Sequence, residues 1–243
     1  MEIQGRVALV TGGARRLGRE LALALARAGA DVVVNYFRSA ADAEATVQDI
    51  VALGRRAIAV QGDVSRAADV TALIQRTAEV FGRLDILVNN ASTFEQAPLL
   101  AVDEAAWDRV LAVNLKGPFL LSQAAVPLLR RDGGGVIINL ADLSALQPWP
   151  SFPHHSVSKA GLVHLTRVLA RALAPDIRAN CIAPGSVLPP DGATEEELRA
   201  SRERTALKRL GSPEDVARAL IYLVENDYVT GETLVVDGGR MLL

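Results

Sequence analysis

Cysteine is almost missing from this chain. Cys181 is the only one in 243 residues, so no disulfide can close within the chain and no cysteine-based metal cluster can form. Histidine is scarce too: His154, His155 and His164 are the only three, and they lie close together. Basic residues are not in excess. The 26 Lys and Arg against 28 Asp and Glu leave a net charge of −2, too little positive charge to neutralise a nucleic-acid backbone. No apolar run approaches a membrane span; the nearest, over 21–26, is alanine–leucine sequence stopped by Arg27. The opening residues MEIQGRVALVTGG lack a basic segment followed by a long apolar stretch, which argues against a signal peptide. Low-complexity linkers and internal repeats are also missing. These absences point away from secreted, membrane and nucleic-acid-binding classes and set a reducing, cytoplasmic location as the expectation.

What is present is apolar and regularly patterned. Half of the residues are hydrophobic, enough for a sizeable core. Short β-rich runs at 7–10, 31–36, 57–60, 84–88, 136–140, 177–182 and 233–236 alternate with helical patterns at 18–28, 40–53, 67–81, 107–130, 156–174 and 213–225. The strand runs are continuously apolar, as in strands buried on both faces. The alternation therefore predicts one α/β domain over 1–243, a doubly wound parallel sheet of Rossmann type covered by helices. In such sheets ligands bind beyond the carboxyl ends of the strands. The segment 185–204, rich in Pro, Gly and Glu, reads as a loop with a short mobile helix.

The first strand runs into Thr11-Gly12-Gly13-Ala14-Arg15-Arg16-Leu17-Gly18 and then a helix. Gly12 can take backbone angles closed to other residues, and Gly18 allows the helix close to the sheet. Amides opening that helix can face a pyrophosphate, aided by the helix dipole. The end of the second strand bears on which dinucleotide fits. NAD sites usually carry a carboxylate there for the ribose hydroxyl; here the residues are Asn35, Tyr36, Phe37, Arg38 and Ser39. Arg38 and Ser39 suit a 2′-phosphate, which selects NADP(H), although a solvated arginine at a strand end is the plainer alternative. Asp63 and Val64, after the third strand, suit the adenine.

These features together resemble the short-chain dehydrogenase/reductase family across essentially the whole chain. The landmarks are Thr11–Gly18, Asp63, Asn89-Asn90-Ala91, Asn114, Lys159, Pro184-Gly185 and Val236-Asp237-Gly238-Gly239. The resemblance implies a seven-stranded parallel sheet, a nicotinamide cofactor and a homotetramer. It places Gly12, Arg15, Arg16, Leu17, Asn35, Arg38, Ser39, Asp63, Val64, Asn90, Ala91, Lys159, Pro184 and Gly185 at the cofactor, with Lys159 on the nicotinamide ribose. Asn114 would fix a water and the backbone geometry that links Lys159 to solvent.

Three positions depart from the family pattern. Arg16 stands where the turn usually has a glycine, and Asp142 stands where the active-site serine is usual. Both resemble the pteridine reductase branch, which includes the bacterial dihydromonapterin reductases. In that branch Phe94 would stack over a pterin, Arg16 would donate to it, and Ser92 would be a lesser contact. A packed loop aromatic and an arginine that only neutralises cofactor phosphates are the alternatives. The third departure is His155, where the family has its tyrosine, four residues before Lys159. Residues four apart share a helix face, so the two should point the same way. Lys159 would oppose protonation of the imidazole and Asp142 would favour it; where Asp142 dominates, His155 is an imidazolium that can donate a proton, and a vestigial position in a protein of poor turnover is the alternative. The resemblance thus implies Asp142, His155, Lys159 and Asn114 as catalytic residues and Arg16, Ser92, Phe94, Asp142 and His155 as substrate-binding ones, with no metal. Three functions remain open on the sequence: an NADPH-dependent dihydropterin reductase, a 3-oxoacyl or similar ketone reductase, and an NADP(H)-binding protein with little turnover.

Overall fold

The computed structural model describes residues 1–131, 133–189 and 192–243. Seven strands form one sheet: β1 (Val7–Val10), β2 (Asp31–Tyr36), β3 (Ala57–Gln61), β4 (Ile86–Asn89), β5 (Gly135–Leu140), β6 (Ile177–Pro184) and β7 (Thr233–Val236). Every pairing is parallel and the order is β3-β2-β1-β4-β5-β6-β7. The chain winds outward from β1 in one direction and from β4 in the other. The switch therefore lies between them, where Leu9 pairs with Leu87 and Val10 with Val88. A crevice opens at such a point because the loops leaving the two strands diverge.

The helices are α1 (Arg16–Arg27), α2 (Ala40–Ala52), α3 (Ala67–Phe81), α4 (Glu104–Leu111), α5 (Gly117–Arg131), α6 (Pro153–Leu173), α7 (Glu195–Glu203) and α8 (Pro213–Glu225). On one face of the sheet, Leu21 and Leu25 of α1 and Leu220 and Leu223 of α8 pack against Val10, Val32 and Ile138. On the other, Leu73 of α3 and Leu121 and Leu129 of α5 pack against Leu9, Leu87 and Ile137. β1, β4 and β5 are buried throughout, which accounts for their apolar sequence; the two exceptions, Asn89 and Asn139, hydrogen-bond each other at 2.8 Å.

Buried Asp85 pins the amino ends of two central strands, accepting from the Val7 amide at 2.9 Å and from Arg6 and Arg83. Ser212 and Asp215 cap α8 reciprocally, and Thr194 and Glu197 do the same for α7.

One expected element differs. The single helix over 107–130 is two α-helices joined by a π-helical turn, Ala112–Lys116, that carries Asn114. The segment expected to be a loop with a short helix contains α7; Pro190 and Asp191 within it lie outside the described residues. No described helix is long and apolar enough to cross a membrane.

Candidate active site

The crevice at the switch point is a groove of about 920 Å³. Its floor is the glycine turn. Gly12 has φ +60°, and a Cβ there would stand 3.1 Å from the Ala91 Cα. A Cβ on Gly18 would stand 2.1 Å from the Gly12 carbonyl oxygen, so the opening turn of α1 folds onto the loop only with glycine there. Arg16 has φ +50°, a left-handed conformation that non-glycine residues rarely adopt. That explains why a glycine is usual at this position and shows that the arginine is held there against a local preference. Thr11 and Asn90 lock the turn to β4. Thr11 Oγ1 accepts from the Asn90 and Ala91 amides at 3.0 Å each, and Asn90 Nδ2 donates to the Thr11 carbonyl at 2.8 Å.

Arg15, Arg16 and Leu17 line the near side of this groove, Arg38 and Ser39 the end of β2, and Asp63 and Val64 the end of β3. The Arg38 guanidinium lies over the Phe37 ring, 4.8 Å from its centroid. Ser39 precedes α2 without capping it. One Asp63 oxygen takes the Ser65 amide and hydroxyl. Asn35 also lines the groove, but its side chain is turned to the protein: Nδ2 donates to the Val60 and Gly62 carbonyls and Oδ1 lies 3.4 Å from the Gly12 amide. It braces the turn. Pro184 and Gly185 stand at the end of β6 outside the lining, where the Gly185 amide donates to the Val236 carbonyl; Leu188 is the groove residue on that side. The glycine floor and the arginines that line the groove, Arg15, Arg16 and Arg38, fit a nicotinamide dinucleotide.

Ser92 and Thr93 carry the groove to the ends of β4 and β5, where the catalytic candidates meet. Asp142 opens a short turn, and its Oδ1 accepts from the Ser144 amide at 2.8 Å. Its Oδ2 lies 2.7 Å from His155 Nε2. His155 is in the first turn of α6, and its other nitrogen, Nδ1, lies 3.2 Å from the Thr93 carbonyl oxygen and 3.3 Å from Asn114 Nδ2. The His155 side chain is 2 % exposed and that of Asp142 is 24 %, so the carboxylate is the member of the pair that faces solvent.

Burial pushes the Asp142 carboxyl up, but hydrogen bonds from His155 and Ser144 and the Lys159 charge outweigh it and hold it below the usual carboxylate range. Burial lowers Lys159, which Asp142 partly offsets. Lys159 Nζ donates to the Leu140 carbonyl at 2.8 Å.

Asn114 clamps the loop after β4 to α6. Oδ1 accepts from the Thr93 amide and the Ser92 hydroxyl, and Nδ2 donates to the Thr93 carbonyl at 3.0 Å and to Ser158 Oγ at 3.1 Å. The π-helical turn widens the helix where this side chain enters, a device common at functional positions.

Phe94 is half exposed, and it is not a lone ring. It stacks on Phe152 with centroids 4.3 Å apart and meets the His155 ring edge-on at 4.7 Å, with Trp149 beyond. Trp149 and Phe152 were not legible as site residues, since nothing in their spacing marks them. Nor was the Thr93 backbone carbonyl, which no side-chain pattern can reveal. Glu95 and Arg109 form a two-pronged ion pair at the same end of the groove, and it lowers the Glu95 carboxyl.

The three tyrosines stand apart from this cluster: Tyr36 ends β2, Tyr222 is exposed on α8 and Tyr228 is exposed after it. Cys181 is buried in β6 and its thiol is pushed up to about 11, that of an inert strand residue. Among the described residues no group of three or more His, Cys, Asp or Glu is placed to hold a metal.

Comparison with known proteins agrees with this architecture. The profile of the family described as enoyl-(acyl carrier protein) reductase matches residues 12–240. A 3-oxoacyl-(acyl-carrier-protein) reductase of Synechocystis sp. is 38 % identical over 248 residues, covering 99 % of this chain and 98 % of that protein. The (2S)-((R)-hydroxy(phenyl)methyl)succinyl-CoA dehydrogenase subunit BbsD of Thauera aromatica is 39 % identical over 247 residues, covering 100 % and 99 %. A crystal structure of a dehydrogenase/reductase from Sinorhizobium meliloti 1021 superposes with a TM-score of 0.92 at 38 % identity, over 98 % of this chain and 97 % of that one. With a seven-stranded parallel sheet, a glycine-floored groove at its switch point and relatives of this kind along its whole length, the chain belongs to the short-chain dehydrogenase/reductase family of oxidoreductases.

Proposed function

We propose that the protein is an NADP(H)-dependent reductase of a ketone on an acyl thioester, of the 3-oxoacyl kind. The observation that carries this reading is the Asp142–His155 pair, 2.7 Å apart beside the groove. A ketone that becomes an alcohol needs a proton at its oxygen, and the pair supplies a proton donor where the family's serine and tyrosine are both replaced. The whole-length similarity to a 3-oxoacyl-(acyl-carrier-protein) reductase and to a subunit of a (2S)-((R)-hydroxy(phenyl)methyl)succinyl-CoA dehydrogenase supports the substrate class. When bound, the reduced nicotinamide supplies hydride. The chain's own residues do the rest: Arg38 and Ser39 bind the 2′-phosphate, the glycine turn and α1 receive the pyrophosphate, and Asp142 orients the substrate oxygen.

A dihydropterin is the second reading. Arg16 on the groove wall and the half-exposed Phe94 face favour a flat, polar heterocycle. The stack of Phe94 on Phe152 means that such a ring adds to an existing aromatic pile.

Loss of NADPH absorbance separates the two. With acetoacetyl-CoA and with dihydrobiopterin or dihydromonapterin in parallel, oxidation driven by the thioester supports the first reading. Oxidation by the pterin alone overturns it in favour of the second. NADPH binding without turnover on either leaves a binding protein.

The assembly we propose is a homotetramer. Asp108, Leu111, Leu115 and Phe119 of the α4–α5 rod, with Leu165 of α6, border an apolar depression of about 590 Å³. Sedimentation of the Phe119→Asp variant tests it: retention of the parent's mass removes this face from the assembly.

A further inference from the structure

The hydrogen bonds around His155 can be counted, and the count leaves both ring nitrogens facing acceptors. Asn114 Nδ2 carries two hydrogens. Its shorter contacts are the Thr93 carbonyl at 3.0 Å and Ser158 Oγ at 3.1 Å; the Ser158 hydroxyl is itself donated to the His155 carbonyl at 2.7 Å and so is free to accept. No amide hydrogen of Asn114 is left for His155 Nδ1, although the two atoms are 3.3 Å apart. The group that remains for Nδ1 is the Thr93 carbonyl oxygen, which can only accept. Nε2 faces a carboxylate oxygen, which also accepts when ionised. A neutral imidazole has one N–H and would leave one of these contacts empty.

We propose that His155 rests as an imidazolium with both N–H bonds given to the protein, and that it acts as a positioning residue and proton source for Asp142, the residue that touches the substrate. The inference rests on the reductase reading for its chemistry, though not for its protonation state. Burial agrees with the division of labour: the imidazole is shut in beneath Phe94 and the carboxylate is open. The charged groups around the ring are Asp142, from the turn after β5, and Lys159, one turn along α6 with its ammonium on the Leu140 carbonyl. From the β4 loop and the π-helical turn come the Thr93 carbonyl and Asn114, both neutral.

The step balances as follows. The His155 Nε2–H bond breaks and an O–H bond forms on Asp142. That proton passes to the substrate oxygen; a bound reduced nicotinamide would supply the hydride, with its electron pair, to the carbonyl carbon. Asp142 is again a carboxylate, and His155 is neutral with its remaining proton on Nδ1, still donated to Thr93. A proton taken up from solution, carried by water as hydronium, restores the Nε2–H by way of Asp142.

This order has a spectroscopic signature that needs no substrate. A free histidine side chain prefers its proton on Nε2 when neutral; here Nε2 is the nitrogen that exchanges and Nδ1 stays protonated. With ¹⁵N-labelled histidine there are three residues to resolve, and His155→Gln assigns one of them by its disappearance. The expected result is a His155 with both nitrogens protonated at the pH of activity, passing to the Nδ1–H form as the solution is made alkaline. A His155 that carries a bare Nδ1 overturns the proposal. If the Gln variant does not fold, Asp142→Asn in its place shifts the Nε2 signal and gives the assignment. Should neither assay substrate react while the signature is present, the reductase reading fails and the protonation assignment stands. With a reactive substrate, Asp142→Asn should lower kcat by about a hundredfold or more, and His155→Gln should lower it with little change in KM. An Asp142→Asn enzyme of full kcat overturns Asp142 as the residue at the substrate.

Discussion

Arg16 is the residue at which local backbone preference and site chemistry oppose each other. At φ +50° its side chain costs the fold about 1 kcal/mol relative to glycine, yet it lines the groove of the candidate site. Arg16→Gly should therefore raise the unfolding free energy by about 1 kcal/mol in a urea titration while weakening NADPH binding measured by fluorescence. Gly18 gives the opposite case. A methyl group there collides with the Gly12 carbonyl, so Gly18→Ala should abolish measurable NADPH binding even where circular dichroism shows a folded chain. At the far end of the groove, Arg38→Asp replaces the cation proposed to hold the 2′-phosphate with a repelling charge. NADPH should bind about 10- to 100-fold more weakly and NADH should not, as calorimetry would read.

At the scale of the element, the π-helical turn between α4 and α5 is hydrogen-bonded to the site through the Asn114 side chain. Asn114 is buried and satisfies the Thr93 backbone in both directions, so Asn114→Ala leaves buried groups without partners and should cost about 2 kcal/mol of stability. It should also free the Thr93 loop, which the rate of hydrogen exchange at the Thr93 amide would report. The helical pattern over 107–130 was legible in the sequence. The π turn inside it was not, because one extra residue per turn changes the apolar periodicity too little to show in so short a window. The capped helices were easier to read, since Ser212-Pro213 and Asp215 announce the start of α8 in the order of residues alone.

Over the whole molecule, acid should act through the carboxyls that the fold holds down. Asp142 and Asp215 are both lowered: Asp142 against its burial by His155, Lys159 and Ser144, and Asp215 by Arg209 and the Ser212 cap. A group lowered in the folded state adds stability that is complete above its unfolded value, and that stability is lost as pH falls through the folded one. The denaturant midpoint should therefore hold steady down to about pH 4 and fall below it. Asp215→Asn should flatten that fall.

The order of the chain by itself determined the α/β alternation, the doubly wound parallel sheet, the glycine turn and the cationic strand end opposite it. Each of these is set by residues adjacent in sequence: continuous apolar runs for strands buried on both faces, and glycines where a neighbouring backbone comes too close for a side chain. Only the tertiary structure decided what His155 faces. Its hydrogen-bond partners come from the turn after β5 and the loop after β4, positions 13 and 62 residues away, and one of them is a backbone carbonyl. A hydrogen bond between such distant groups is fixed by how the strands are ordered in the sheet, so no local pattern carries it. The same holds for the ring stack on Phe94, whose partner Phe152 reaches it from the start of α6.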